Sequence, residues 1–187
     1  MADHVCPPWV GKMLLSPLRK LVENPKKILG PFIDEGMVVL EPGCAMGFFT
    51  LPLARMVGSE GKVIAVDLQT EMLAALEHRA RKAGLMDRID IREAEPTGLG
   101  LDDLARTADF CTLIHVAHEV TDRDRLFREI SDTLKTGGRL LVIEPRWHVS
   151  EEDFGVSLAA AGAAGLRKIE SADLQGDRKA LFEMQES

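Results

Sequence analysis

The stretch that decides the fold runs from residue 38 to residue 50 and reads VVLEPGCAMGFFT. It begins with an apolar run typical of a buried strand and continues through a turn that contains Gly43 and Gly47, near which a helix should begin. Glycine in such a turn lets a ligand approach the backbone where no Cβ intrudes. Open α/β sheets bind ligands at this edge, outside the carboxyl ends of their strands. The stretch therefore predicts an α/β domain with a ligand site after its first strand.

Short apolar runs recur along the rest of the chain and predict the remaining strands. Together with the first run, the parallel strands are expected at residues 37–40, 63–66, 89–91, 110–114 and 140–143. Most of these runs lack polar alternation, as expected when both faces of a parallel sheet are buried. Residues 166–169 and 180–184 lie too close in sequence for a helical crossover, so we expect them to pair antiparallel. The predicted fold class is α/β, a doubly wound and mostly parallel seven-stranded sheet with an antiparallel C-terminal strand pair.

Helical periodicity fills the segments between these strands. After the second strand, apolar residues recur at helical spacing from Met72 to Ala83. Thr121 and Asp124 have the spacing of a capping box and predict the start of a later helix. Ser150, followed by Asp153, predicts the start of the helix after the fifth strand.

Length and composition fit one domain with a short appendage. The chain has 187 residues, of which 45% are hydrophobic and 28% are charged, and these proportions exclude a disordered or low-complexity protein. We expect residues 1–34 to form an N-terminal helical cap and residues 35–187 to form the main domain. The apolar side chains around Trp9 and residues 13–15 would either close over a bound ligand or cap the sheet.

Charge and cysteine content limit the possible partners. The formal net charge of −7 argues against a nucleic-acid partner, and no apolar run approaches the length of a membrane span. The three cysteines are widely spaced and include no CxxC pair, so we expect neither a disulfide framework nor a metal site. A cytoplasmic location and a small-molecule partner are the resulting expectations, and the sequence indicates no oligomeric state.

An acidic residue at a set distance from the glycine turn indicates what the turn binds. Asp67 ends the second strand 20 residues after Gly47, where a carboxylate can accept hydrogen bonds from both ribose hydroxyls. A dinucleotide fingerprint, G-x-G-x-x-G, would need glycines at the positions that hold Ala45 and the bulky Phe48. The turn instead fits the pattern acid-x-G-x-G-x-G beginning at Glu41, with Ala45 in place of the middle glycine. The alternative is a simple turn followed by a capping aspartate, with no ligand.

Residues 37–145 resemble the class I S-adenosylmethionine-dependent methyltransferases, especially the small ones similar to quinone-biosynthesis C-methyltransferases. The resemblance implies a Rossmann-like methyltransferase fold, S-adenosylmethionine as cofactor and S-adenosylhomocysteine as product. It implies that the cofactor is held by Glu41, Gly43, Cys44, Ala45, Gly47, Asp67, Leu68, Glu93, Ala94, Glu95 and His115.

The resemblance also implies individual roles for these residues. Asp67 would hold the ribose. The carboxylate of Glu93 or Glu95 would accept a hydrogen bond from the exocyclic amine of adenine. The amide of Ala94 would face an adenine ring nitrogen, and the backbone carbonyl of His115 would accept from the cofactor's amino group. Ala45, which replaces the middle glycine, should be tolerated if its φ is negative.

The chemistry expected of such a site is direct displacement at an activated methyl group, with a small molecule as the acceptor. The protein then supplies mainly alignment and a dry pocket, and it supplies a general base only if the acceptor must lose a proton. The candidate catalytic residues are His118, one turn beyond the fourth strand, and His148, which follows the fifth strand. The alternative for each is a structural, hydrogen-bonded histidine.

Two other functions remain open at this point. A nicotinamide-dependent oxidoreductase would use the same fold class, although Phe48 and the closing antiparallel pair count against it. A cofactor-binding module without catalysis would keep the glycine turn and Asp67 but would lack an acceptor pocket.

Overall fold

The structure is a computed structural model that describes residues 23–174 and 177–186. Its strands are β1 (Val38–Pro42), β2 (Lys62–Asp67), β3 (Ile89–Glu93), β4 (Ala108–Ile114), β5 (Leu134–Pro145), β6 (Leu166–Leu174) and β7 (Asp177–Met184). They form one seven-stranded sheet in the order β3-β2-β1-β4-β5-β7-β6. The pairs β1–β2, β2–β3 and β4–β5 are parallel, whereas β5–β7 and β6–β7 are antiparallel. The predicted fold class is confirmed.

The described helices are α1 (Pro25–Leu29), α2 (Thr50–Met56), α3 (Thr70–Ala83), α4 (Arg123–Thr133) and α5 (Glu151–Ala163). Among the described residues, no helix combines the length and the apolar character needed to cross a bilayer.

The sequence predicts three helix starts, near Gly47, at Thr121 and at Ser150, and α2 begins at Thr50, close to Gly47. Helix α3 begins at Thr70 and buries Met72 and Leu76. Ser150 caps α5 by accepting a hydrogen bond from the amide of Asp153 at 3.0 Å. The capping box predicted for α4 is wrong, because the capping side chain is Asp122, which accepts from the Arg125 amide at 2.9 Å.

The predicted N-terminal cap is described only in part. Helix α1 and a 3₁₀ turn at Gly30–Phe32 fall within it, and the side chain of Asn24 caps α1 by accepting from the amide of Lys26. Residues 1–22, including the apolar segment around Trp9, lie outside the described residues, so the boundary at residue 34 remains a prediction.

The described residues divide into two compact units. The first half, residues 23–95, contains β1, β2 and β3, with α2 and α3 following β1 and β2. Its core includes Leu40, Val63 and Leu76, none of which is exposed to solvent. The register aligns Pro42 with Val66 and Asp67 with Glu93, so the carboxyl ends of these three strands reach the same edge.

The second half, the described residues from 96 onward, contains the other four strands with α4 and α5. Phe110 on β4, Phe127 on α4 and Phe182 on β7 are its largest fully buried side chains. The parallel register pairs Ile114 with Ile143, so β4 and β5 end side by side and bring the segments that follow them close together.

Candidate functional site

The glycine turn after β1 is held by backbone hydrogen bonds to β2. The amides of Gly43 and Cys44 donate to the carbonyl of Val66 at 2.8 and 3.1 Å. Gly43 has a φ of +70° and Gly47 a φ of +79°, which glycine adopts without steric cost. The helix that follows begins at Thr50, three residues beyond Gly47.

Gly47 is required for packing as well as for its conformation. A Cβ added there would collide with Cδ1 of Leu76, a core residue of α3. The turn therefore lies directly against α3, and its glycine is fixed by both backbone geometry and the neighbouring helix.

Ala45 does not meet the condition of a negative φ under which the sequence analysis expects it to be tolerated. Its φ is +45°, not negative, so an L-residue occupies the left-handed region where glycine is favoured. In this conformation the amide of Ala45 donates to Oδ2 of Asp67 at 2.8 Å. The positive φ of Ala45 thus accompanies a hydrogen bond between the glycine turn and Asp67, which ends β2.

Asp67 is held in a defined orientation by two backbone donors. Its Oδ2 accepts from Ala45, and its Oδ1 accepts from the amide of Gln69 at 3.0 Å. Burial raises the pKa of Asp67, and these hydrogen bonds oppose part of that rise. Each carboxylate oxygen keeps acceptor capacity for a ligand hydroxyl. The adjacent Leu68 is 42% exposed and presents an apolar surface next to this carboxylate.

Glu41 is the most perturbed acid of the turn. It is almost completely buried, and its Oε2 has no hydrogen-bond partner among the residues described. Burial raises its pKa to about 8, which the Thr50 hydroxyl partly offsets and the charge of Asp67 reinforces. Cys44 is also buried, and burial raises the pKa of its thiol, so this cysteine is an unreactive thiol.

The acids after β3 lie exposed, and one of them contacts α3. Glu93 Oε1 accepts a hydrogen bond from the Thr70 hydroxyl at 3.1 Å, while Glu95 is exposed. The Ala94 amide, which the resemblance places against an adenine ring nitrogen, has a partner within the sheet. That amide donates to the carbonyl of Asp67 at 2.9 Å and is therefore already used by the β2–β3 pairing.

Arg79 is a residue of this region that the sequence analysis missed. From α3 its Nη1 donates to the carbonyl of Met46 within the glycine turn. Burial lowers the pKa of its guanidinium, as expected for a charge removed from water. An arginine three turns into an ordinary amphipathic helix gives no sequence signal, because only the tertiary packing directs it toward the turn.

In the second half, His115 follows β4 in an unusual conformation. Its φ is +60°, and its amide donates to the carbonyl of Ile143 on β5 at 2.8 Å. Its ring Nε2 lies 3.8 Å from Oδ2 of Asp177, which begins β7. The role of its own carbonyl toward a cofactor remains a prediction.

His118 forms the closest acid–histidine pair among the described residues. It lies in a 3₁₀ turn at Ala117–Glu119, and its Nδ1 is 2.5 Å from Oε2 of Glu144, whose side chain is completely buried. The backbone amide of His118 also donates to Oε1 of the same carboxylate at 3.4 Å. The hydrogen bond that His118 donates to Glu144 is the largest cause of the raised pKa of His118.

The two predicted catalytic histidines are brought together. The ring of His148 lies edge-to-face against the ring of His118, with centroids 5.0 Å apart and an interplanar angle of 77°. Trp147 packs against His148 with centroids 5.3 Å apart and is 84% exposed. Glu144 was not predicted, although an acid directly after the apolar run 140–143 was the available signal.

Comparison with known proteins identifies the family. A family model described as a methyltransferase domain matches residues 40–142. The ubiquinone/menaquinone biosynthesis C-methyltransferase UbiE of Idiomarina loihiensis is 32% identical over 112 residues, which cover 60% of this chain and 44% of that protein. UbiE of Escherichia coli O1:K1 / APEC matches with the same identity and coverage. The matched region thus spans less than half the length of these curated relatives.

Solved structures agree with this assignment. A SAM-dependent methyltransferase from Aquifex aeolicus has a TM-score of 0.82 at 27% identity, covering 95% of this chain and 99% of that chain. The [4+2]-cyclase SpnF has a TM-score of 0.74 at 16% identity, covering 96% and 97%, and therefore shares the fold alone. The family match displaces the nicotinamide-dependent alternative and implies S-adenosylmethionine as the cofactor. With the family model covering more than half of its residues, the chain belongs to the class I S-adenosylmethionine-dependent methyltransferases.

Proposed function

We propose that this protein transfers a methyl group from S-adenosylmethionine to a small-molecule acceptor by direct displacement. The observation that supports this most strongly is the Asp67 carboxylate, bonded to the amide of Ala45 in the glycine turn at 2.8 Å. Because backbone donors already orient this carboxylate, it can accept hydrogen bonds from two ribose hydroxyls without a further loss of side-chain conformational entropy.

The residues of the first half fit this cofactor. Asp67 would accept hydrogen bonds from the ribose hydroxyls, and Leu68 would pack against one face of the adenine. The turn from Gly43 to Gly47 would lie beside the methionine part of the cofactor. The unpartnered Oε2 of Glu41 is a buried acceptor of the kind that a bound amino group satisfies. S-adenosylmethionine would supply an activated methyl group on a sulfonium, so no further activation of the methyl donor is required.

For the acceptor, we propose a hydroxylated aromatic ring as the first class to test. The relatives from Idiomarina and Escherichia are named as C-methyltransferases of ubiquinone and menaquinone biosynthesis. An exposed Trp147 beside His148 offers an aromatic surface of the kind that packs against a planar ring. Methylation at carbon or oxygen of such a ring requires the loss of a proton.

We propose His118 as the group that takes this proton. Its pKa is raised from the ordinary histidine value, chiefly by the hydrogen bond to Glu144, so its neutral form is a stronger base than free imidazole. His148 would shield one side of the His118 ring from water.

Calorimetry with S-adenosylhomocysteine tests the cofactor site. We expect Asp67→Asn to weaken binding by about 1–3 kcal/mol, because one buried hydrogen-bond acceptor is replaced by a donor. Asp87→Asn, an exposed aspartate in the same half, is the matched control and should bind like the wild type. Equal affinities of wild type and Asp67→Asn would contradict the ribose role.

Transfer itself is tested with S-adenosylmethionine labelled with ¹³C in the methyl group and a demethylated hydroquinone as the probe acceptor. We expect a labelled methyl signal on the hydroquinone and a lower turnover in His118→Gln, with cofactor affinity unchanged. If His118→Gln lost cofactor affinity and turnover equally, His118 would be a structural histidine.

A further inference from the structure

The pairing of His118 with Glu144 has a geometry that determines which ring nitrogen can act. Nδ1 faces Oε2 of a completely buried carboxylate at 2.5 Å, a distance typical of a charge-assisted hydrogen bond. A carboxylate accepts and cannot donate, so Nδ1 carries the proton. In the neutral ring this leaves Nε2 unprotonated and able to accept.

The carboxylate also fixes where the histidine sits. The second oxygen of Glu144 accepts from the backbone amide of His118 at 3.4 Å, so one side chain holds both the ring and the backbone of this residue. The 3₁₀ turn is held from its other side by Arg123, whose Nε donates to the carbonyl of Ala117 at 3.0 Å. Arg123 in turn pairs with Asp153 of α5 at 2.9 Å. The turn is thereby tied to both β5 and α5.

We propose that Glu144 is the positioning residue of the methyl-transfer reaction, orienting His118 so that its Nε2 removes the acceptor proton and stabilising the imidazolium that results. This inference rests on the proposed function and deepens it. It also selects His118 over His148, because no carboxylate of the described residues pairs with the His148 ring.

The proton and electron balance follows from this arrangement. The acceptor's O–H proton would move to Nε2 of His118, and the electron pair left on the acceptor would form the new bond to the methyl carbon, either from the oxygen or from a ring carbon conjugated with it. In the second case the C–H proton of that carbon would then move to the oxygen, which restores the aromatic ring. The pair of the broken carbon–sulfur bond would remain on sulfur, giving neutral S-adenosylhomocysteine. His118 would then release its proton to water. The substrate class implied is an acceptor that carries an ionisable proton.

Several charged groups face His118, and Glu144 is distinguished from them by its contact. Glu119 on the same turn and Asp153 on α5 raise the pKa of His118 through their charges, while burial lowers it. The Arg123 guanidinium lies near the same turn but is paired with Asp153. Because Glu119 has the same charge as Glu144 and lies beside His118 in sequence, it supplies the matched control.

Nuclear magnetic resonance of the full chain tests the pair independently of turnover. The signal of His118 among the five histidines is assigned by its loss in His118→Gln. At high pH, ¹⁵N shifts should report a proton on Nδ1 and none on Nε2. We expect Glu144→Gln to lower the pKa of His118 by about one unit or more, and Glu119→Gln to lower it by about 0.3 unit or less.

The activity readout is the pH profile with the hydroquinone probe. Glu144→Gln should lower kcat about tenfold or more, move the acidic limb to lower pH, and leave KM for S-adenosylmethionine within about twofold. An Nε2–H tautomer in the wild type, or an unchanged His118 pKa in Glu144→Gln, would overturn the inference. If S-adenosylhomocysteine does not bind the wild type, the proposed function fails, whereas the nuclear magnetic resonance result still decides the His118–Glu144 pair.

Discussion

Ala45 and Gly47 are two residues of one turn that have positive φ values for different reasons. Ala45 has a φ of +45° and its amide bonds to Asp67, whereas Gly47 has a φ of +79° and lies against Leu76. Glycine at the first position would remove only the methyl group of Ala45. At the second position a Cβ would force Cδ1 of Leu76 to move, in addition to the strain of a positive φ.

We therefore expect opposite results from a matched pair of substitutions. Ala45→Gly should leave the free energy of unfolding unchanged or raise it by up to about 1 kcal/mol, because relief of strain exceeds the added entropy of the unfolded chain. Gly47→Ala should lower it by about 2–4 kcal/mol through strain and overpacking. Urea denaturation measures both, and a large loss in Ala45→Gly would contradict the strain assigned to Ala45.

Glu41 should make the stability of the protein depend on pH. Its pKa is raised from 4.5 to about 8, so between these values the native protein retains a proton that the unfolded chain releases. The free energy of unfolding should therefore fall as pH rises through this window, by roughly 3–5 kcal/mol. Glu41→Gln has no proton to lose and should lack this decline.

Urea denaturation at about pH 5 and about pH 9 measures this effect. Glu35→Gln, an exposed residue of the same half, serves as the control and should decline with pH like the wild type. A decline of equal size in Glu41→Gln would show that other groups carry the pH dependence.

At the scale of elements, α3 supports the glycine turn by two contacts. Leu76 packs under Gly47, and Arg79 donates to the carbonyl of Met46. Both side chains project from the same face of α3, about one turn apart, and so the helix fixes the turn on which the proposed cofactor depends.

Arg79→Met should loosen this support while retaining the apolar stem of the side chain. We expect the affinity for S-adenosylhomocysteine to fall by about 1 kcal/mol, or about fivefold, because the carbonyl of Met46 loses its donor. Arg81→Met is the control, since Arg81 forms an exposed pair with Glu77 on the same helix. Calorimetry compares the two variants, and equal affinities would assign Arg79 a role in packing only.

At the scale of the whole molecule, the fold limits the chemistry without choosing it. The [4+2]-cyclase SpnF shares this fold at 16% identity. The proposed reaction is therefore inferred from individual residues and not from the fold. These residues are Asp67 at the glycine turn and His118 beside Glu144.

Ligand-dependent stability checks the cofactor on the intact chain. Saturating S-adenosylhomocysteine should raise the Tm, with a stabilisation of about 2.7 kcal/mol at a ligand concentration of 100 Kd. NAD at the same concentration should leave the Tm unchanged, because Phe48 stands where a dinucleotide site requires a small residue. Stabilisation by NAD alone would favour the oxidoreductase alternative.

The strand pattern, the glycine turn and the acid at residue 67 could be predicted from sequence alone. Each rests on a local property, either a short apolar run or a residue type at a fixed spacing, and the structure places β1, β2 and the antiparallel β6–β7 pair accordingly. The antiparallel pairing followed from chain length, since the connection is too short for a crossover.

Only the tertiary structure decided the finer features of the sites. His118 and Glu144 are separated by 26 residues, Arg79 and Met46 by 33, and the Ala94 amide is taken by a carbonyl of the neighbouring strand. Such contacts depend on the register between strands and on how helices pack against them. A local pattern specifies which residues face inward, but the partner that each one meets is set by the packing of distant segments.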